Sequence, residues 1–197
     1  MKISVDVDGV LLEFVEKFCE IFNERYSTSY RKSDITRWEF FSDWNVSEEQ
    51  CYEIFYEIYG DSMTIPLIDD KIPEYLEELN AMNKVDIVSA RSSQYKSQLE
   101  KKLTFHGIKQ GLHYRNLILV NSKPYDLKLT HDYDIYVDDN PNLVEPLKKK
   151  MRKYLLLFDQ PWNQECKCEK NVIRVNNWKE VVEKIMNLER KFIHIHH

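Results

Sequence analysis

Glycine is scarce in this chain of 197 residues: four in all, at positions 9, 60, 107 and 111. No Walker loop or dinucleotide fingerprint can be written with those positions, so any phosphate chemistry must use other groups. Cysteine is equally sparse, at 19, 51, 166 and 168. The first two fall in helical patterns and Cys-x-Cys is not a usual zinc spacing, which reads as free structural thiols. Long apolar runs are missing as well. The opening MKISVDVDGVLLEF has charges inside its apolar stretch, so neither a secretory signal nor a membrane span is expected, and a cytoplasmic protein is. Positive charge is in deficit: 28 Lys and Arg against 33 Asp and Glu give 28 − 33 = −5. No overall positive field exists to gather a nucleic-acid polymer or an anionic membrane. The one basic run, Lys148 to Lys153, is expected to close a helix, where cations complement the macrodipole.

What is present is an ordinary globular balance, 43% hydrophobic and 31% charged, in a length suited to one catalytic domain with a small accessory lobe. Lys2 to Val7 reads as a short buried strand ending in Asp-Gly. Phe14, Phe18, Ile21, Phe22 and Arg25 follow helical spacing, and Ser47 with Gln50 forms a capping box for a helix stopping at Gly60. Pro73 opens another helix. Strands at Lys84–Val88, Leu117–Val120, Ile135–Val137, Tyr154–Phe158 and Val172–Val175 then alternate with helices from Ser93 to Gly107, Pro141 to Arg152, and from Trp178 onward. This rhythm predicts an α/β fold, a three-layer α/β/α Rossmann-like parallel sheet. The interval 14–72 breaks the rhythm. It reads as a helical cap inserted after the first strand into a core of residues 1–13 and 73–197.

Four signals sit at strand ends or in loops leading to them, where open α/β sheets place ligands. They are Asp6 and Asp8, Ser89, Lys123, and Asp138 with Asp139. Carboxylates two apart after a strand serve equally well as turn formers, but further acids at a second strand end concentrate negative charge that calls for a cation. Oxygen ligands select magnesium, with Asp6, Asp8 through its carbonyl, Asp138 and Asp139 as candidates. Asp6 is then the nucleophile on phosphorus, Asp8 the general acid and base, Ser89 a donor to the phosphoryl group, and Lys123 its counter-charge. Lys128 is the rival for that last role, Lys123 being favoured by its spacing to Asp138.

In order and spacing these motifs resemble those of the haloacid dehalogenase-like phosphatases. Within that superfamily the chain is similar to the 5'(3')-deoxyribonucleotidases, through DVDGVLLEF, the segment Thr36 to Phe41, VDDNP, and Phe158 to Asn163. The resemblance implies a magnesium-dependent phosphomonoester hydrolase with an aspartyl-phosphate intermediate, acting on (deoxy)nucleoside monophosphates. It also implies a mobile cap whose aromatic residues hold the base: Phe14 is a candidate, with Trp38, Phe40 and Phe41. Phe14 fits a helix core equally well, Arg91 is either a phosphate clamp or a structural ion pair, and Trp162 is either functional or a core plug. His194, His196 and His197 read as a frayed tail. The partner expected is a small phosphomonoester, with no polymer and no membrane, and the homodimer is an assembly left open. A phosphatase of sugar phosphates and a non-catalytic nucleotide-binding protein are the alternatives; Asp6, Asp8, Ser89 and Lys123 together argue against the second.

Overall fold

The computed structural model describes residues 1–61, 63 and 65–194. Its frame is set by six short strands: β1 (Lys2–Val5), β2 (Lys84–Ser89), β3 (Leu117–Leu119), β4 (Ile135–Asp138), β5 (Tyr154–Phe158) and β6 (Val172–Val175). They form one parallel sheet in the order β3-β2-β1-β4-β5-β6. The strands are apolar on both faces, as a sheet covered on both sides requires. Ile3, Val5, Val85, Ile87, Ile135 and Val137 face a core shared with helices α3 (Ile72–Met82), α4 (Lys96–Phe105) and α6 (Trp178–His194). Val88, Tyr136, Leu155 and Leu157 face the other way, toward α5 (Val144–Lys148) and a 3₁₀ turn at Leu127–Thr130. The layers are therefore α/β/α, as the strand–helix alternation predicts.

Chain order reverses beside β1, which pairs with β2 on one side and β4 on the other. That switch point opens the crevice in which such sheets bind ligands. Between β1 and α3 the chain builds α1 (Phe14–Tyr26) and α2 (Glu48–Asp61). Two backbone bonds mark where it departs and returns, Glu13 N–H to Pro66 O at 3.0 Å and Ile68 N–H to Leu11 O at 2.9 Å. Ser47 and Gln50 make the reciprocal capping bonds at 2.9 and 3.1 Å. The interval has its own aromatic packing: Phe18 meets Phe22, Phe40, Trp44 and Phe55, and Tyr30 stacks on Trp44 with ring centroids 4.0 Å apart.

Two expectations change. The basic run does not close a long helix, because α5 stops at Lys148. The Asn171 side-chain amide donates to the carbonyls of Leu147, Lys150 and Lys153 at 2.7, 3.1 and 2.6 Å, taking up carbonyls left over where the helix stops. The helix expected from Ser93 begins instead as a 3₁₀ turn, Ser93–Tyr95, before α4. All four cysteines are free, and burial pushes Cys19 and Cys51 each up to about 12, which leaves them inert thiols. Among the described residues no helix is long and apolar enough to cross a membrane. His196 and His197 lie outside the described residues.

Candidate active site

Val5 and Val137 are register partners in β1 and β4, so Asp6 and Asp138 emerge side by side from adjacent strand ends. The Asp6 amide extends the pairing with a bond to Val137 O at 2.9 Å. Into this gap the Leu127–Thr130 turn delivers Lys128, whose Nζ stands 2.7 Å from Asp6 Oδ1 and 2.6 Å from Asp138 Oδ2. Burial alone would drive that ammonium toward neutrality, but Asp138 and Asp6 outweigh it and hold Lys128 charged. Asp138 Oδ1 accepts the Asn140 backbone N–H at 3.0 Å, which fixes its rotamer.

Asp139 completes the cluster: one carboxylate oxygen from each of Asp6, Asp138 and Asp139 lies within 4.8 Å of the others. Burial and the neighbouring Asp138 push the Asp6 carboxyl up to about 7 against the pull of Lys128. Burial, with Asp6 and Asp138, likewise holds Asp139 well above the usual carboxylate range. Three carboxylates share a single ammonium, and Asp139 Oδ1 is buried without a hydrogen-bond partner. An all-oxygen donor set, an excess of carboxylates over cations and an unsatisfied buried oxygen together fit a hard divalent cation.

Gly9 makes this proximity possible. Its φ is +82°, and a Cβ built there would lie 2.1 Å from Asp139 Oδ2 and 3.3 Å from the Trp162 ring. Gly9→Ala is expected to cost about 2–4 kcal/mol, from the left-handed backbone plus overpacking, and to weaken divalent-cation binding. Calorimetry showing an unchanged melting temperature and cation affinity would mean that the loop yields without loss.

Asp8 points elsewhere. Its carboxylate receives a two-point bond from Arg91, Nη2 to Oδ1 at 2.6 Å and Nε to Oδ2 at 2.9 Å. The guanidinium, 1% exposed, lies over the Tyr59 ring at 4.4 Å and the Phe14 ring at 5.9 Å. Arg91 is thus an ion-pair partner of Asp8 and, at the same time, part of the wall of a cavity of about 150 Å³. That is room for roughly five water molecules at their liquid volume, more than a phosphate ion fills. Asp6, Asp8 and Asp139 line it together with Phe14, Trp38, Phe40 and Phe41. Trp38 meets Tyr125 edge-on at 6.2 Å, and the Tyr125 hydroxyl donates to Glu39 at 2.8 Å. Ser89 is buried at the end of β2, where its Oγ accepts the Arg91 amide at 3.2 Å; the following Ala90 and Arg91 reach the cavity wall.

Lys123 does not join the carboxylates. It is half exposed and pairs with Glu48 at 2.7 Å, and Lys128 occupies the position its spacing suggested. Sequence distance to Asp138 failed as a guide because the 3₁₀ turn sets how far the chain advances per residue. The aromatic wall also includes Tyr52, Phe55 and Tyr59 of α2, which helical spacing in the sequence does not mark out from packing residues. Trp162 both covers Gly9 and lines the cavity.

Residues 1–192 match the family model described as "5' nucleotidase, deoxy (Pyrimidine), cytosolic type C protein". The chain belongs to this family. Membership in the cytosolic type C 5' nucleotidases makes the protein a phosphatase with the haloacid dehalogenase-like fold. The Bacillus subtilis (strain 168) protein named "Putative nucleotidase YqfW" is 21% identical over 197 residues, spanning 99% of this chain and 98% of its own. Among solved structures, the haloacid dehalogenase-like hydrolase SP0104 of Streptococcus pneumoniae superposes with a TM-score of 0.62 at 15% identity, over 93% of this chain and 97% of that one. A Mycobacterium tuberculosis structure titled Protein Tyrosine Kinase A reaches 0.66 at 14% identity, over 93% and 96%. Likenesses at such identity establish the shared fold and leave the chemistry to the site.

Proposed function

We propose that the protein is a magnesium-dependent nucleotidase that hydrolyses (deoxy)nucleoside monophosphates through a phosphorylated Asp6. The observation that supports it best is the clustering of Asp6, Asp138 and Asp139, with carboxylate oxygens within 4.8 Å of one another, beside an aromatic-walled cavity that Asp6 and Asp139 line. Asp6, Asp138, Asp139 and the Asp8 carbonyl would hold magnesium, which would neutralise phosphoryl charge. Lys128 keeps the Asp6 carboxylate oriented and offsets charge on the phosphoryl group. Asp6 attacks phosphorus as the bond to the leaving oxygen breaks, and Asp8 gives that oxygen its proton. Water then attacks phosphorus of the acyl-phosphate, Asp8 takes the water's proton, and the Asp6 carboxylate is released. For this Asp8 must part from Arg91, and the freed guanidinium becomes a donor to the phosphate. Ser89 donates a hydrogen bond from its hydroxyl to the same group.

Residues 14–72 act as the cap, and Phe14, Trp38, Phe40 and Phe41 offer ring faces to a base. Sugars are held chiefly through hydroxyl hydrogen bonds, for which ring faces are a poor match. The family's description as cytosolic supports a cytoplasmic location. The test is phosphate release from deoxy and ribo, 5' and 3' nucleoside monophosphates beside sugar phosphates, with magnesium and then with a chelator. Nucleotide preference that disappears with the chelator is expected. Faster turnover of sugar phosphates would overturn the reading of the cap, and indifference to magnesium would overturn the reading of the carboxylates.

A further inference from the structure

The segment after β5 lies outside the four motifs, yet it touches the backbones of two of them. Gln160 caps a single 3₁₀ turn, Pro161–Asn163, and Asn163 ends it; the two bond to each other reciprocally, Asn163 N–H to Gln160 O at 3.1 Å and Gln160 N–H to Asn163 Oδ1 at 3.3 Å. Both are buried, with 4% and 1% of their surface exposed. The Gln160 amide donates to the carbonyl of Gly9 at 2.7 Å, and the Asn163 amide donates to the carbonyls of Asp139 and Phe158 at 2.9 and 2.8 Å. Arg174 of β6 fastens the turn from behind, with Nη1 on Asn163 Oδ1 and Nη2 on Asn163 O, both at 2.8 Å.

We infer that Gln160 and Asn163 are positioning residues that hold the Gly9 and Asp139 loops in register for metal binding and turnover. The two loops meet at a contact with no slack, since a single methyl at Gly9 would strike Asp139 Oδ2. Asp6 and Asp8 sit in the Gly9 loop, so the separation of these loops is the separation of nucleophile, acid and metal-binding carboxylates. Three repelling carboxylates favour opening of that gap. A pair of amides three residues apart, with one donor on each loop, opposes it without adding charge. Neither side chain touches the reacting atoms; each acts through backbone carbonyls, so charge at the site is unchanged when either is replaced by an apolar residue of like size.

This inference rests on the proposed roles of Asp6 and Asp139. Gln160→Met keeps the side chain's bulk and removes the donor to Gly9. The variant is expected to fold, to lose about tenfold or more in kcat with KM within about threefold, and to bind magnesium several-fold more weakly by isothermal titration. Asn163→Ser, which shortens the reach to Asp139, is expected to show the same pattern. Should one variant fail to fold, the other decides. A folded variant with kcat and magnesium affinity within about twofold of the parent overturns the inference and leaves a merely structural turn. Asp6→Asn, assayed in parallel, separates the two levels: if it stays active, the assignment of the site has failed; if it is dead while Gln160→Met is normal, the positioning role has failed.

Discussion

Asp6→Asn will reduce phosphate release by a factor on the order of 10⁴ or more, the scale seen when a covalent nucleophile is removed, while the fold survives. An amide is nearly isosteric with the carboxylate and still offers Lys128 an oxygen, but it cannot form an acyl-phosphate. It also removes one of three crowded carboxylates. Burial and Asp138 already push Asp6 up to about 7, so the metal-free variant is expected to melt no lower than the parent. Single-turnover phosphate release and scanning calorimetry on the same preparation check both halves. Activity above about one-hundredth of the parent's would place the nucleophile elsewhere.

The second large effect belongs to Lys128. Lys128→Met strips the ammonium shared by Asp6 and Asp138 and leaves both carboxylates buried, a loss of about 3–5 kcal/mol when one member of a buried ionic group is deleted. Turnover is expected to fall by about 10²–10³, since Asp6 loses its orienting partner and the phosphoryl group a counter-charge. Added magnesium should recover part of the stability, because the cation can neutralise what the lysine no longer does. Lys123→Met is the contrasting variant: its ammonium pairs with Glu48 at the surface, and activity within about twofold of the parent is expected. A dead Lys123→Met beside an active Lys128→Met would reinstate the lysine that spacing favours. Melting curves with and without magnesium, read with kcat, distinguish these cases.

The two lysines show where linear reasoning stops. Asp6, Asp138 and Asp139 are legible because a strand end points its next residues at the sheet edge whatever the rest of the chain does. A lysine in a connecting loop has no such constraint, and a step of five positions along loop and turn separates a surface side chain from a buried one. Arg91 shows a different limit. Phosphate clamp and ion pair are alternatives in the sequence, yet the structure has it bonded to Asp8 and set in the cavity wall at once. The α2 aromatics Tyr52, Phe55 and Tyr59 carry the same helical spacing whether they face a core or a substrate, so periodicity alone cannot separate the two.

The sequence by itself determined the layered α/β architecture, the helical interval after the first strand and the four acids, because strand length, helix periodicity and capping are local properties written in consecutive residues. Tertiary structure alone decided which lysine counters those acids, that Asp8 is held by Arg91, and that Gln160 and Asn163 reach back to Gly9 and Asp139 across more than a hundred residues in one case and about twenty in the other. Those choices depend on the sheet order, which sets strands distant in sequence side by side, and on the few ångströms over which buried charges and hydrogen bonds act.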